Sequence, residues 1–181
     1  MSDPRLFTYR IDANNVVCFV NPEWLEFALE NEAPHLVTPG VLGRRLSEFI
    51  TGMETGYLYD MLLGKVRSSC RETCLSYRCD APQKRRYMEL AVRPWMGKGV
   101  EFCSHVVREE EREPVGWLAL TAARSDKLIT MCAWCKRIAT PAWVEVEEAI
   151  KNLRPFDEDR VPQITHGICE DCYRQVERTV A

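Results

Sequence analysis

Apolar and polar positions change their period several times along the chain, and each change marks an element. Residues 6–11 and 16–20 are rich in β-branched and aromatic side chains, with Asp12, Ala13, Asn14 and Asn15 between them. This pattern predicts a hairpin, because Asp and Asn close turns with their own side chains. Asn21 and Pro22 then open a helix, since Asn caps free N–H groups and proline fits the first helical position. Trp24, Phe27 and Ala28 follow at i, i+3 and i+4, which places them on one face. Pro34 and the Pro39-Gly40 pair end this segment. Residues 47–50 predict one short helical turn. Residues 54–67 predict a longer helix with Tyr57, Leu58, Met61, Leu62 and Val66 at helical spacing. Three strands are predicted over residues 72–79, 86–95 and 100–107, joined by turns at 80–84 and 96–99. In the second, Met88, Leu90 and Val92 alternate with Tyr87, Glu89 and Ala91, the period-2 pattern of a half-buried strand.

The pattern then shifts. Glu109-Glu110-Glu111-Arg112-Glu113 is a charge run, expected to be solvated, and residues 114–130 read as a connector. Further on, Trp143, Val146, Ala149, Ile150 and Leu153 share one face of a helix predicted over 143–153, with Pro141 near its start and Pro155 after its end. There is no internal repeat and no low-complexity tract.

Composition narrows the function classes. Of 181 residues, 46% are apolar and 28% charged, the balance of a folded product. The formal net charge of −3 gives no electrostatic reason for nucleic acid or an anionic membrane as partner. Over residues 127–181, eight Lys and Arg face nine Asp and Glu, which disfavours a nucleic-acid-binding regulator. No run approaches the roughly 18 apolar residues of a membrane span, and the N-terminus lacks the basic and apolar regions of a secretory signal. A cytoplasmic location is therefore expected. There the nine cysteines stay thiols rather than disulfides.

The cysteines carry the strongest chemical signal. Cys132-Ala-Trp-Cys135 and Cys169-Glu-Asp-Cys172 are two CxxC turns separated by 33 residues. Each turn can direct two thiolates at one ion, and two turns complete a tetrahedral site. Soft thiolates select zinc or iron, with zinc the commoner structural occupant. The competing reading is a thiol–disulfide redox protein that uses one CxxC pair. His166, three residues before Cys169, is a candidate ligand or a donor to a sulfur, and Gly167 is expected to let the backbone turn toward the metal. Cys70, Cys74 and Cys79 have no standard cluster spacing. Cys79, beside Arg78, is the one thiol whose cationic neighbour favours reactivity. Arg44-Arg45 and Lys84-Arg85-Arg86 read as solvated basic surface. His35 and His105 carry no assigned role. There is no CxxCH, no phosphate-binding glycine loop and no Gly-x-Ser-x-Gly, so nothing points to a catalytic residue.

The order β-β-α-α-α-β-β-β over about residues 3–110 resembles the PAS sensor fold. The segments that carry the resemblance are residues 11–21, 42–50 and 77–82, followed by Arg85-Arg86-Tyr87-Met88. The string from Met131-Cys132-Ala-Trp-Cys135 to Thr165-His166-Gly167-Ile168-Cys169 resembles a small cysteine-rich module of bacterial signalling proteins that often follows PAS or receiver domains. Together they imply an α+β protein. Residues 1–112 would form a PAS-like five-stranded antiparallel sheet with helices on one face, residues 113–127 a connector, and residues 128–181 a small zinc-stabilised module. The pocket such a sheet implies would be walled by Phe27, Phe49, Tyr59, Leu63, Leu75, Met88 and Leu90, which are otherwise ordinary core residues. The implied role is a non-catalytic sensor that signals through a partner protein or through a homodimer formed by its PAS-like part.

Overall fold

The computed structural model describes residues 4–37, 39–153 and 160–180. Strands β1 (Phe7–Ile11) and β2 (Val17–Val20) form the predicted hairpin. The Asp12 carboxylate accepts the N–H groups of Asn14 at 2.8 Å and Val16 at 2.9 Å, which closes the turn. Helix α1 (Pro22–Glu30) starts where the sequence places it, with the Asn21 side-chain oxygen accepting the Trp24 N–H at 3.0 Å. Helix α2 (Met53–Ser69) starts at Gly52, whose φ is 94° and whose absent Cβ would lie 2.7 Å from the His166 carbonyl oxygen. Only glycine satisfies both constraints.

Strands β3 (Thr73–Arg78), β4 (Lys84–Trp95) and β5 (Gly99–Glu111) follow as a meander. They complete a five-stranded antiparallel sheet in the order β2-β1-β5-β4-β3. The α+β class and this sheet are as the sequence predicts. Its buried residues Leu75, Leu90, Val92 and Phe102 share a core with Leu58, Leu62, Leu63 and Val66 of α2.

Two expectations for the middle of the chain are corrected and a third is sharpened. The charge run is solvated as expected, with Glu109, Glu111 and Glu113 exposed, and its first three residues are also the end of β5, with Lys84, Arg85 and Arg86 opposite Glu111, Glu110 and Glu109. Opposite charges across a ladder stabilise it, and here Arg86 Nε lies 3.0 Å from Glu109. Residues 114–130 are more than a connector. Val115 and Trp117 are buried with Met131, Ile138, Val146 and Ala149 in a second apolar cluster, and strand β6 (Arg124–Cys132) begins inside this stretch. The helix predicted over 143–153 starts later. Trp143 and Val144 form β8 (Trp143–Val144) against β7 (Ile138–Ala139), and only then does α3 (Val146–Leu153) begin. Pairing with β7 commits the aromatic and β-branched residues to extended backbone. Pro155 lies outside the described residues.

Two further elements complete the chain. Strand β9 (Val161–Gly167) pairs parallel with β6, giving a second sheet in the order β8-β7-β6-β9, and helix α4 (Glu170–Val180) follows. Helix α4 packs on α2 and β3, and its Val176 and Val180 belong to the same core as Leu62 and Phe102. The apolar core therefore runs across residue 112 without a break. No helix among the described residues is long and apolar enough to cross a membrane.

A buried ion network ties α3 to the first sheet. Asp80, with 1% of its side chain exposed, pairs with Arg78 and with Arg112, the latter at 3.2 Å. Arg78 also reaches Glu145 at 2.8 Å, and Arg85 and Arg112 reach Glu147 at 2.8 and 3.3 Å. Removing the shared anion leaves two buried guanidinium groups short of a partner. Asp80→Ala should therefore lower the unfolding free energy by about 3 kcal/mol, measured by urea denaturation. Burial works against ionisation of Glu147, but its own backbone N–H, Arg85 and Arg112 together hold its pKa below the ordinary 4.5. Its stabilisation is complete above the unfolded value and is lost as pH falls through the lower folded value. Glu147→Gln should flatten the acid limb of the stability–pH curve there.

Candidate metal centre and the adjoining cavity

The register of the second sheet builds the cysteine site. Along the parallel pair, Met131 faces His166 and Cys132 faces Gly167. Both strands thus leave the sheet at the same end, and each runs straight into its CxxC turn. The Ala133 N–H donates to the Gly167 carbonyl at 2.8 Å, joining the two turns. The first turn is closed by Cys132 N–H to the Arg137 carbonyl at 2.8 Å and Lys136 N–H to the Cys132 carbonyl at 3.0 Å. Lys136 takes a left-handed φ of 63°. The second turn leads into α4, so Cys172 sits in that helix's first turn. Gly167, expected to let the backbone turn toward the metal, ends β9 just before the second turn and has no left-handed φ. It allows close approach instead, since a Cβ there would lie 3.0 Å from Thr130 Cγ2.

The four Sγ atoms of Cys132, Cys135, Cys169 and Cys172 lie within 4.8 Å of one another, with Cys135 and Cys169 3.7 Å apart. Metal–sulfur bonds of about 2.3 Å in a tetrahedron set the sulfurs about 3.8 Å apart, so this set can hold a metal ion. The surroundings suit thiolates. Cys132 Sγ accepts the N–H groups of Cys135 at 3.5 Å and Cys169 at 3.4 Å. The Arg137 guanidinium donates to Cys135 Sγ at 3.3 Å and Cys169 Sγ at 3.7 Å, and is itself held by Asp171 at 3.0 Å.

Crowding makes the four thiols titrate against one another. Hydrogen bonds from Cys135 and Cys172 hold Cys132 far below the ordinary thiol range. Hydrogen bonds to Cys132, foremost, and to Cys135 push Cys172 far above it. Burial pushes Cys169 up to about 11. One sulfur ionises at the expense of its neighbours, so a fully ionised set requires a cation among them.

The structure separates the other sequence candidates from this cluster. The sulfur group contains no histidine among the described residues. His166 instead lines a surface pocket with Trp117, Met131 and Lys136, where burial and then the Lys136 charge lower its pKa. Cys70 and Cys74 are exposed. Cys79 is the reverse of an activated thiol: burial raises its pKa and outweighs the cations Lys136 and Arg86. Arg78, its sequence neighbour, is occupied by Asp80 and Glu145.

A cavity of about 280 Å³ lies between the first sheet, the two large helices and the first cysteine turn. Of the seven residues proposed from sequence, Phe27, Tyr59, Met88 and Leu90 line it. Phe49 lines a neighbouring pocket that shares Tyr9, Trp24 and Tyr59 with the first. Leu63 and Leu75 lie in the core. Sequence reasoning missed the wall made by Ala133, Trp134 and Lys136 of the cysteine turn, and also Thr55 and Tyr77. The available signal was Trp134 itself, a large apolar ring inside a metal-type turn that needs a surface to cover it.

Trp134 is buried, its ring 5.9 Å from Tyr59, and its carbonyl accepts the Arg78 N–H at 2.8 Å. The cysteine turn is thereby fastened to the edge strand β3. Two residues of the cavity wall, Trp134 and Thr55, each carry a buried polar atom, Nε1 and Oγ1, with no hydrogen-bond partner among the described residues. A buried polar group left unpaired costs about 1–3 kcal/mol. Burial, foremost, raises the pKa of the Tyr9, Tyr59 and Tyr77 phenols, so all three remain neutral. Tyr77 Oη is 3.1 Å from Ser104 Oγ.

No protein-family model matches the chain, and no curated protein matches it. Solved structures similar to it include the PAS domain from Bordetella pertussis BvgS, at 12% identity over 57% of this chain and 73% of that one, with a TM-score of 0.39. A sensory box sensor histidine kinase from Vibrio cholerae is 12% identical over 56% of this chain and 81% of that one, with a TM-score of 0.39. A C-terminal domain from Streptococcus mutans is 14% identical over 57% of this chain and 77% of that one, with a TM-score of 0.40. These likenesses are shallow, and the functional reading rests on the site itself.

The site geometry makes each sulfur indispensable. Cys172→Ser should lose bound metal and lower the melting temperature by about 10 °C, read by elemental analysis and circular dichroism. Cys70→Ser, at an exposed position outside the cluster, should change neither.

Proposed function

We propose that this protein is a non-catalytic sensor module of the PAS type in cytoplasmic signalling, completed by one structural zinc ion. One observation carries the reading: the turn that presents Cys132 and Cys135 is also a wall of the cavity, through Ala133, Trp134 and Lys136. The donor set favours zinc because four thiolates at tetrahedral spacing suit a soft, redox-inert ion. All four positions are filled by protein, which leaves none for a substrate water and makes the role structural. The cavity supplies what a sensor needs, a recessed site with unpaired polar groups in its wall residues beside an element that a ligand can bias. Output in this reading passes through a partner protein, or through a second copy of the sheet domain. In this reading residues 1–112 are the sensor and 128–181 the zinc module, and 113–127 join them while packing Val115 and Trp117 into the second cluster.

The test uses protein purified without added metal. Elemental analysis should give one zinc per chain, with the four clustered thiols protected from alkylation. Indole-labelled NMR with anionic, neutral and cationic fragments should show at least one fragment shifting the Trp134 N–H signal in a saturable way. Metal-free protein with one fast-reacting CxxC thiol would support the redox reading instead. No fragment shifting Trp134 would remove the sensor role.

A further inference from the structure

The walls of the cavity carry chemistry of one sign. Among the described residues, none of its lining side chains is an aspartate or glutamate, while two are cations, Arg78 and Lys136. The Arg78 charge is answered by Asp80 and Glu145. The Lys136 ammonium meets a neutral partner, the Ala133 carbonyl at 2.8 Å, and has no carboxylate partner among the described residues. Trp134, 5% exposed, contributes an indole N–H with no acceptor among the described residues. That group can only donate. Thr55, 4% exposed, adds an equally unpartnered hydroxyl. What is missing from this wall is an acceptor, and the uncompensated ammonium makes an anionic acceptor the best match.

The remainder of the lining is aromatic and apolar. Phe7 and Phe27 lie ring to ring at 4.3 Å, and Tyr59 stands against Trp134 at 5.9 Å. Such walls favour a planar apolar body with its ring edges and faces in contact. The volume of about 280 Å³ lies just under the ~300 Å³ at which pockets for drug-sized ligands begin. It equals roughly nine waters at about 30 Å³ each. One or two rings fit there.

We propose that the cavity binds a small aromatic monocarboxylate. Its carboxylate is received by the Trp134 indole N–H and the Lys136 ammonium, and its ring is held among Phe27, Tyr59 and Met88. The proposal rests on the sensor reading above and names the ligand class of that site. It has a consequence for the metal. Trp134 lies inside the Cys132–Cys135 turn and Lys136 directly follows it, so the ligand contacts the backbone that positions two metal ligands. Occupancy of one site then raises affinity at the other by the same factor.

The experiment uses the metal-loaded full chain, with benzoate and 2-naphthoate as probes and benzamide and benzylamine as controls, titrated by calorimetry and NMR. The carboxylates should bind saturably, and benzamide and benzylamine at least tenfold more weakly. Trp134→Phe keeps a ring but removes the N–H, and Lys136→Met keeps the stem but removes the charge. Each should weaken benzoate at least tenfold while circular dichroism and metal content stay unchanged. Saturating 2-naphthoate should also slow metal extraction by a chelator. Equal affinity for benzoate and benzamide, or full benzoate affinity in both variants, overturns the proposal. If neutral or cationic fragments shift the Trp134 signal and carboxylates do not, the ligand class falls and the sensor reading stands. If nothing shifts it, both fall.

Discussion

Four thiols packed within 4.8 Å of one another cannot all ionise unless a cation sits among them, and much of the second half of the chain depends on that requirement. The parallel pairing of β6 with β9 is what brings the thiols together. With Cys132 opposite Gly167, two turns far apart in sequence leave one sheet edge side by side. A slip of one residue would send one pair of sulfurs to the wrong side. A metal at this site and the strand register would therefore specify each other: an ion needs the alignment, and a parallel pair of this kind would gain stability from the ion.

The consequences reach the first sheet. The second turn leads directly into α4, and α4 buries Val176 and Val180 in the core shared by α2 and the five-stranded sheet. The first turn places Trp134 over Tyr59 and hydrogen-bonds its carbonyl to Arg78 on β3. From the other side, Asp80, Arg78, Arg112, Glu145 and Glu147 tie α3 to the ends of the sheet strands. Buried ion groups of this kind add little net stability over apolar replacements, but they punish misalignment. The cysteine turn therefore does two things at once: it carries two of the clustered sulfurs and it walls the cavity through Trp134 and Lys136.

Local rules made much of this legible in the sequence. Asn21 capped the helix it was expected to cap, the Asp12–Asn15 turn closed the hairpin, and the alternation at Met88, Leu90 and Val92 matched a strand buried on one face. The four cysteines were readable from spacing alone. What escaped were features decided by distant partners. Glu109 to Glu111 are solvated as the charge run suggests, but only Lys84, Arg85 and Arg86 across the ladder show that they also extend a strand. Trp143 and Val144 fit a helical stripe as well as a strand, and β7 decides between them. Residues 161–167 show no strong period of their own, and parallel pairing with β6 makes them the edge strand β9. The same limit hid half of the cavity wall. Phe27, Tyr59, Met88 and Leu90 follow from periodicity within the sheet domain, whereas Trp134 and Lys136 arrive from a turn some forty residues further on.

The central claim is that the metal site and the five-stranded sheet share one cooperative core. Native-state hydrogen exchange on metal-loaded and metal-stripped protein tests it most directly. The account predicts that stripping the metal removes protection from α4, from β3 and from the Leu58–Val66 stretch of α2 together with the cysteine turns, at a common opening free energy. Loss of protection confined to residues 128–180, with β3 and α2 as slow as before, would contradict it.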